Sequence, residues 1–291
     1  MSATLLNIVA IIFYFISWIM ITLAVRADIN NKENPPNKSK LYFITWFIAL
    51  IIHIVALHYP LMIGKPLVVG FATLGSYVMW FISLILFITT LKRKIQTLVI
   101  IILPFTIISI IISLMLNTGS IAINMKSGLG AHILTSLLAY SLLMLASFQA
   151  LLLAIQNNHL HNRQNTGFIR TLPSLEDMEH ILFRFISIGV IMLSLGLLTG
   201  FYYLDNLFGS NIAHKTILSI ISWLIFSALL LGRWKYGWRG KKAIRWTIIG
   251  FITLALAFFG TKFVHEFILD SDPTQSSIVT PTIITLVKAY N

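Results

Sequence analysis

The chain has 291 residues, 57% of them hydrophobic and 10% charged, where soluble domains run at roughly 45–50% and 25%, so a soluble enzyme or binding domain of appreciable size is excluded. It holds no cysteine, which excludes disulfides, a thiolate nucleophile and iron–sulfur ligation. The net charge of +12 does not mark a nucleic-acid binder, because the basic residues cluster in short loops between apolar runs, the pattern that orients a membrane protein.

Apolar runs of about twenty residues, the length that crosses a bilayer core as a helix, recur along the chain. The first spans about 4–25, with no basic residue before it and Arg26 just after it. A cleavable signal peptide has the opposite order, so this is a retained helix. After the breaker "NNKENPPNK" come runs at about 41–63, 66–91 and 96–116, then "NTGS", then a run at about 130–156. The next loop ends "LPSLEDMEHILFRF", where Ser174 and Asp177 have capping-box spacing and the acidic cluster suits a helix N-terminus. The last three runs are about 181–204, 215–232 and 246–269, and the tail after Asp270 is polar with two prolines. No fixed-period repeat is evident.

The pattern predicts an all-α polytopic membrane protein with eight transmembrane helices. Loops one, three, five and seven hold fifteen Lys and Arg: Arg26, Lys32, Lys38 and Lys40; Lys92, Arg93 and Lys94; Arg163 and Arg170; and Arg233, Lys235, Arg239, Lys241, Lys242 and Arg245. The other side holds five: Lys65, Lys126, Lys215, Lys262 and Lys288. That imbalance puts the odd loops in the cytoplasm and both termini on the external, periplasmic side. Arg184, just inside the sixth run, can snorkel to the cytoplasmic interface.

None of the nine acidic residues falls mid-run, which argues against a proton pump or cation-coupled carrier. Histidines are the remaining chemistry. His159, His161 and His180 fall in the cytoplasmic fifth loop and read as solvated. His53, His58, His132, His214 and His265 all fall in the external half of the membrane. One reading of each is a helix-packing histidine bonded to a hydroxyl or carbonyl; Ser136 and Tyr140, on the His132 face of one helix, are ready partners. The other is ligation: His132 and His214, on different helices at one depth, form an axial pair suited to haem iron. A quinone head group is a weaker alternative. Trp46, Tyr202, Tyr203, Trp234, Tyr236, Trp238 and Trp246 read as interfacial anchors.

Several stretches together carry a resemblance: "HILTSLLAYSLLMLASFQALLLAIQ", "LPSLEDMEHILFRF", "LLTGFYYLDNLF", "HKTILSIISWLIFSALLLGRWKYGWRGKKAIRW" and "GFITLALAFFGTKFV". They resemble the cytochrome c assembly family of CcsA-like membrane proteins, and most of all its YpjD branch of small inner-membrane proteins. The resemblance covers residues 40–270. It implies a first helix and loop over 1–40, a CcsA-like membrane domain over 41–270, an external tail over 271–291, and a bacterial inner-membrane location. Haem-handling members use two external histidines, flanking a tryptophan-rich loop, to ligate haem awaiting attachment to apocytochrome c. His132 occupies the position of the first, and His53, in "HIVAL", matches a histidine that the YpjD branch shares. Between His132 and His214 this chain has no tryptophan, and Ala213-His214-Lys215 stands where those members have Trp-Asp-Pro-Lys. Leu231 replaces a further family histidine, and His265 falls short of the last.

Two functions follow as expectations. The first is haem binding or presentation at the external face, with His132 the principal ligand, His53 and His214 candidate second ligands, and cytochrome c maturation components as partners. This chain would form no covalent bond and would not be an enzyme. The second is a structural or regulatory membrane subunit without haem, docking a partner through the basic "GRWKYGWRGKK" loop.

Overall fold

The structure is a computed structural model that describes residues 2–29, 36–64, 67–68, 70–93, 95–116, 122–123, 127–161, 172–203 and 213–260, with the backbone alone described at the helix ends 28–29, 36–40, 127–129, 160–161, 213–214 and 259–260. Among these residues the chain forms eight α-helices: α1 (Ala3–Ile29), α2 (Pro36–Met62), α3 (Phe71–Thr90), α4 (Gln96–Met115), α5 (Ser127–His161), α6 (Leu175–Tyr203), α7 (Ala213–Tyr236) and α8 (Gly240–Ala255). A π-helical turn, Leu256–Gly260, continues α8. Helix satisfies every backbone polar group within the segment, the requirement for crossing lipid.

Seven of the eight, α1 to α7, are long and apolar enough to cross a membrane. The described part of α8 has 16 residues, short of a span, and the remainder of the eighth run lies outside the described residues. The chain is a multi-pass helical membrane protein. One feature departs from the all-α expectation: Leu67–Val68 (β1) and Ala122–Ile123 (β2) pair antiparallel, with Leu67 opposite Ile123. Leu67–Val68 fall at the start of the apolar run read at about 66–91, whose helix begins only at Phe71, and Ala122–Ile123 lie between runs, so this pairing is invisible in the sequence. It ties the loop after α2 to the loop before α5, putting both at one end of the bundle.

The helices pack as two groups of four. In the first, α1 lies on α2 and α4, and α3 on α2 and α4; in the second, α5 lies on α6 and α8, and α7 on α6 and α8. Contacts of α5 with α3 and α4 join the groups. The outer surfaces carry Leu23, Phe47, Ile191 and Leu224, each about half exposed, as lipid-facing side chains are.

Polar groups inside are paired across helices. Pro104, within α4, has no N–H to give the carbonyl four residues back. That carbonyl, on Ile100, accepts instead from the Trp18 indole N–H of α1 at 2.9 Å. Trp46, read from the sequence as an interfacial anchor, is fully buried and donates through Nε1 to Ser83 Oγ at 2.9 Å. The capping motif is present: the Asp177 N–H donates to Ser174 Oγ at 3.1 Å, and that hydroxyl donates to the Asp177 carboxylate at 2.7 Å.

Candidate functional site

His132 sits in the second turn of α5, half-buried against α6. α5 and α6 form the most extensive helix pair of the described structure, and glycines on α6 set their separation. A Cβ on Gly189 would meet Leu143 Cδ2 at 2.7 Å, and one on Gly196 would meet Ser136 Oγ at 3.1 Å. This closeness brings the Gly196 carbonyl within 2.9 Å of His132 Nδ1.

The contact fixes the state of the imidazole. A carbonyl oxygen only accepts, so Nδ1 carries the proton and donates. Thr199 Oγ1 lies 3.4 Å from the same nitrogen, and its own proton is directed to the Leu195 carbonyl at 2.7 Å and the Gly196 carbonyl at 3.1 Å. In the neutral ring, Nε2 is then left with its lone pair. Metal-ligating histidines are oriented in this way, one nitrogen donating to a carbonyl and the other presented for coordination. The residues expected from the sequence to hold His132 were Ser136 and Tyr140. Instead Ser136 lies beside Gly196, and Tyr140 packs its ring against Phe251 and Phe258. The signal for Gly196 was present as Gly196-x-x-x-Gly200, a small-residue spacing that permits close helix approach. Which carbonyl it exposes depends on the partner helix.

His53 is a different environment. It is 0% exposed, in α2, with Nε2 3.0 Å from Ser76 Oγ of α3 and Nδ1 3.4 Å from the Tyr14 hydroxyl of α1. Tyr14 and His53 meet edge to face at 5.8 Å. Both ring nitrogens are engaged, so coordination here requires one hydroxyl to give way. His214 is the second residue of α7, and its side chain lies outside the described residues, as does all of His265. His58 Nδ1 donates to the Ile54 carbonyl of its own helix at 3.1 Å, and His159 to Ile155 at 2.9 Å. Among the described residues no group of three or more His, Cys, Asp or Glu converges on one point.

The other polar cluster stands at the opposite end of α6. Glu179, whose side chain is 10% exposed, accepts from Arg239 Nε at 3.0 Å and from the Gly240 N–H at 2.7 Å, with Arg233 Nη1 3.7 Å away. The Glu179 hydrogen bond raises the Arg239 pKa above its ordinary value. Sequence reading took Glu179 only as helix-terminal charge. Its guanidinium partners lie 54 and 60 residues further along, and only folding brings them to it.

Comparison with known proteins places this architecture. The family model described as "Cytochrome C assembly protein" matches residues 71–269, more than half of the chain. The chain belongs to the cytochrome c assembly protein family. Inner membrane protein YpjD of Escherichia coli K12 is 30% identical over 234 residues, covering 79% of this chain and 88% of that one. An uncharacterized 28.8 kDa protein of Azospirillum brasilense is 32% identical over 140 residues, 47% of this chain and 52% of its own. The cytochrome c biogenesis protein CcsA of Prochlorococcus marinus is 26% identical over 140 residues, 43% and 44% of the two chains. No solved structure matches.

The donor chemistry fits one axial position of haem, a neutral imidazole with Nε2 free to coordinate at the mouth of α5. His58 and His159 also have Nδ1 bonded to a backbone carbonyl, but it is the Ile54 or Ile155 carbonyl of their own helix. Among the described histidines, His132 alone is held by the backbone carbonyl of a neighbouring helix.

Proposed function

We propose that this protein is a CcsA/YpjD-like inner-membrane protein of cytochrome c biogenesis that binds or presents haem at the external face through His132. What supports the reading is the 2.9 Å bond from His132 Nδ1–H to the Gly196 carbonyl, which leaves Nε2 as the coordinating nitrogen. Family membership and the relatives named for cytochrome c biogenesis supply the haem context. The orientation rests on the count of basic residues, fifteen against five, with eight spans and both termini external. His53 and His214 are the candidates for the second axial position. His214 opens α7, at the end of the bundle where α5 begins and α6 ends.

Haem, when bound, supplies the iron centre and the porphyrin to be handed on to maturation components. The chain's part is holding: α5 and α6 fix the imidazole, Thr199 and Gly196 fix its tautomer, and the apolar helix faces exclude water. The chain has no cysteine thiol, and on this reading it holds and presents haem without forming a covalent bond itself.

The test is the absorbance spectrum of the detergent-purified protein, oxidised and then reduced, beside His132→Ala and His132→Gln. Histidine-ligated haem gives a Soret band with sharp reduced α/β bands in the wild type; both variants lose or shift them, and exogenous imidazole partly restores His132→Ala. A protein that stays colourless when haem is supplied during expression removes this reading. The second reading, a structural or regulatory subunit without haem, is favoured by the absence of tryptophan between His132 and His214. It predicts that His132→Gln is tolerated while His132→Leu loses yield.

A further inference from the structure

The α7–α8 turn is the most basic part of the described surface, and its charges divide into two sets. Arg233 and Arg239 are taken by Glu179, and Arg239 also reaches Glu176 at 3.7 Å. Lys235, Lys241, Lys242 and Arg245 are exposed and pair with no carboxylate among the described residues. Lys241 and Lys242 precede Arg245 by four and three residues, so all three share one face of α8. Lys241 and Lys242 also occupy its first turn, which holds no acidic residue and where the helix dipole disfavours cations. An anion lying over this face relieves that repulsion.

The turn is also rigid. Gly237, with φ of 64°, ends α7 and donates its N–H to the Arg233 carbonyl at 3.1 Å. Arg233 Nη1 donates to the Trp238 carbonyl at 3.3 Å. Glu179 clamps both Arg239 and the first N–H of α8. Trp238 lies flat over Gly232, where a Cβ would fall 2.4 Å from its ring, and Lys242 stands 5.9 Å over the same indole. Beside this fixed turn, Trp234 and Tyr236 project outward, 80% and 76% exposed. Large amphipathic rings left bare at the end of a spanning helix sit at headgroup depth.

We propose that the α7–α8 turn is a binding site for the phosphate headgroup of anionic phospholipid, with Lys235, Lys241, Lys242 and Arg245 contacting the phosphate and Trp234 and Tyr236 seated among the neighbouring glycerol and acyl groups. Charge complementarity selects an anionic lipid over a zwitterionic one, and the bare aromatic pair selects a lipid over a soluble anion. The site lies some seventeen residues along α6 from Gly196, about 25 Å at helical rise, and is independent of haem.

The test titrates phosphatidylglycerol into the full-length protein in maltoside micelles and follows the thermal unfolding midpoint, beside phosphatidylcholine, inorganic phosphate and polyglutamate. The wild type is stabilised saturably by phosphatidylglycerol alone. The variant Lys235→Gln/Lys241→Gln/Lys242→Gln/Arg245→Gln requires at least about tenfold more lipid for half the effect, and Lys92→Gln/Arg93→Gln in the α3–α4 turn requires no more than the wild type. Should the fourfold variant be poorly folded, Lys241→Gln/Lys242→Gln alone still shifts the titration severalfold, because both side chains are solvent-exposed and pair with no carboxylate among the described residues. An unshifted titration in either variant overturns the assignment. So does stabilisation by inorganic phosphate, which makes the site one for free anions, or by polyglutamate at lower concentration, which makes it a protein-docking surface.

Discussion

Replacing His53 by leucine isolates the polar junction of α1, α2 and α3. The substitution keeps most of the side-chain volume while deleting the 3.0 Å bond to Ser76 and the 3.4 Å bond to Tyr14. Interhelical hydrogen bonds within membranes average about 0.6 kcal/mol and reach about 1.7. The shorter Ser76 bond belongs toward the upper figure and the longer Tyr14 bond toward the lower. The Ser76 hydroxyl left behind adds little, because a serine in a helix folds back onto its own backbone carbonyl. The expected loss is therefore about 2 kcal/mol, roughly thirtyfold in the unfolding equilibrium. Equilibrium unfolding by SDS in mixed micelles measures it. The decisive form is a double-mutant cycle with Ser76→Ala, in which most of the cost of that change disappears once His53 is gone. Additivity within about 0.3 kcal/mol refutes the junction. In the same samples, a haem band held by His132 survives His53→Leu if His53 is structural; its loss moves His53 into the ligand set.

Two further changes probe the scaffold. Trp18→Phe orphans the Ile100 carbonyl that Pro104 has already deprived of its helical donor; it costs about 1–2 kcal/mol by the same unfolding assay, and the double variant Trp18→Phe/Pro104→Ala recovers part of that loss. Glu179→Ala strips the carboxylate from Arg233 and the Gly240 N–H and costs about 3 kcal/mol, read as a lowered thermal midpoint. Because Glu179 is largely buried, the loss changes little between low and high salt.

The sequence by itself settled what lipid physics settles. Runs of apolar residues about twenty long must be helices, and each of the eight holds one, seven of them long and apolar enough to cross a membrane among the described residues; Ser174 and Asp177 had to cap α6 because their spacing alone makes that bond. His132 was legible as a lone ionisable group at the mouth of an apolar helix. Tertiary structure decided what each polar group does, because its partner lies on another helix at a sequence distance that no periodicity encodes. Trp46 reads as an interfacial anchor and is a buried donor to Ser83, 37 residues away. His53 and His132 look alike as histidines in apolar runs, yet one has both nitrogens spanned by hydroxyls from two helices and the other has a single nitrogen held by a backbone carbonyl. That carbonyl is 64 residues from His132 and is reached only because α6 carries glycine where α5 crosses it, so the free Nε2 exists by virtue of helix packing.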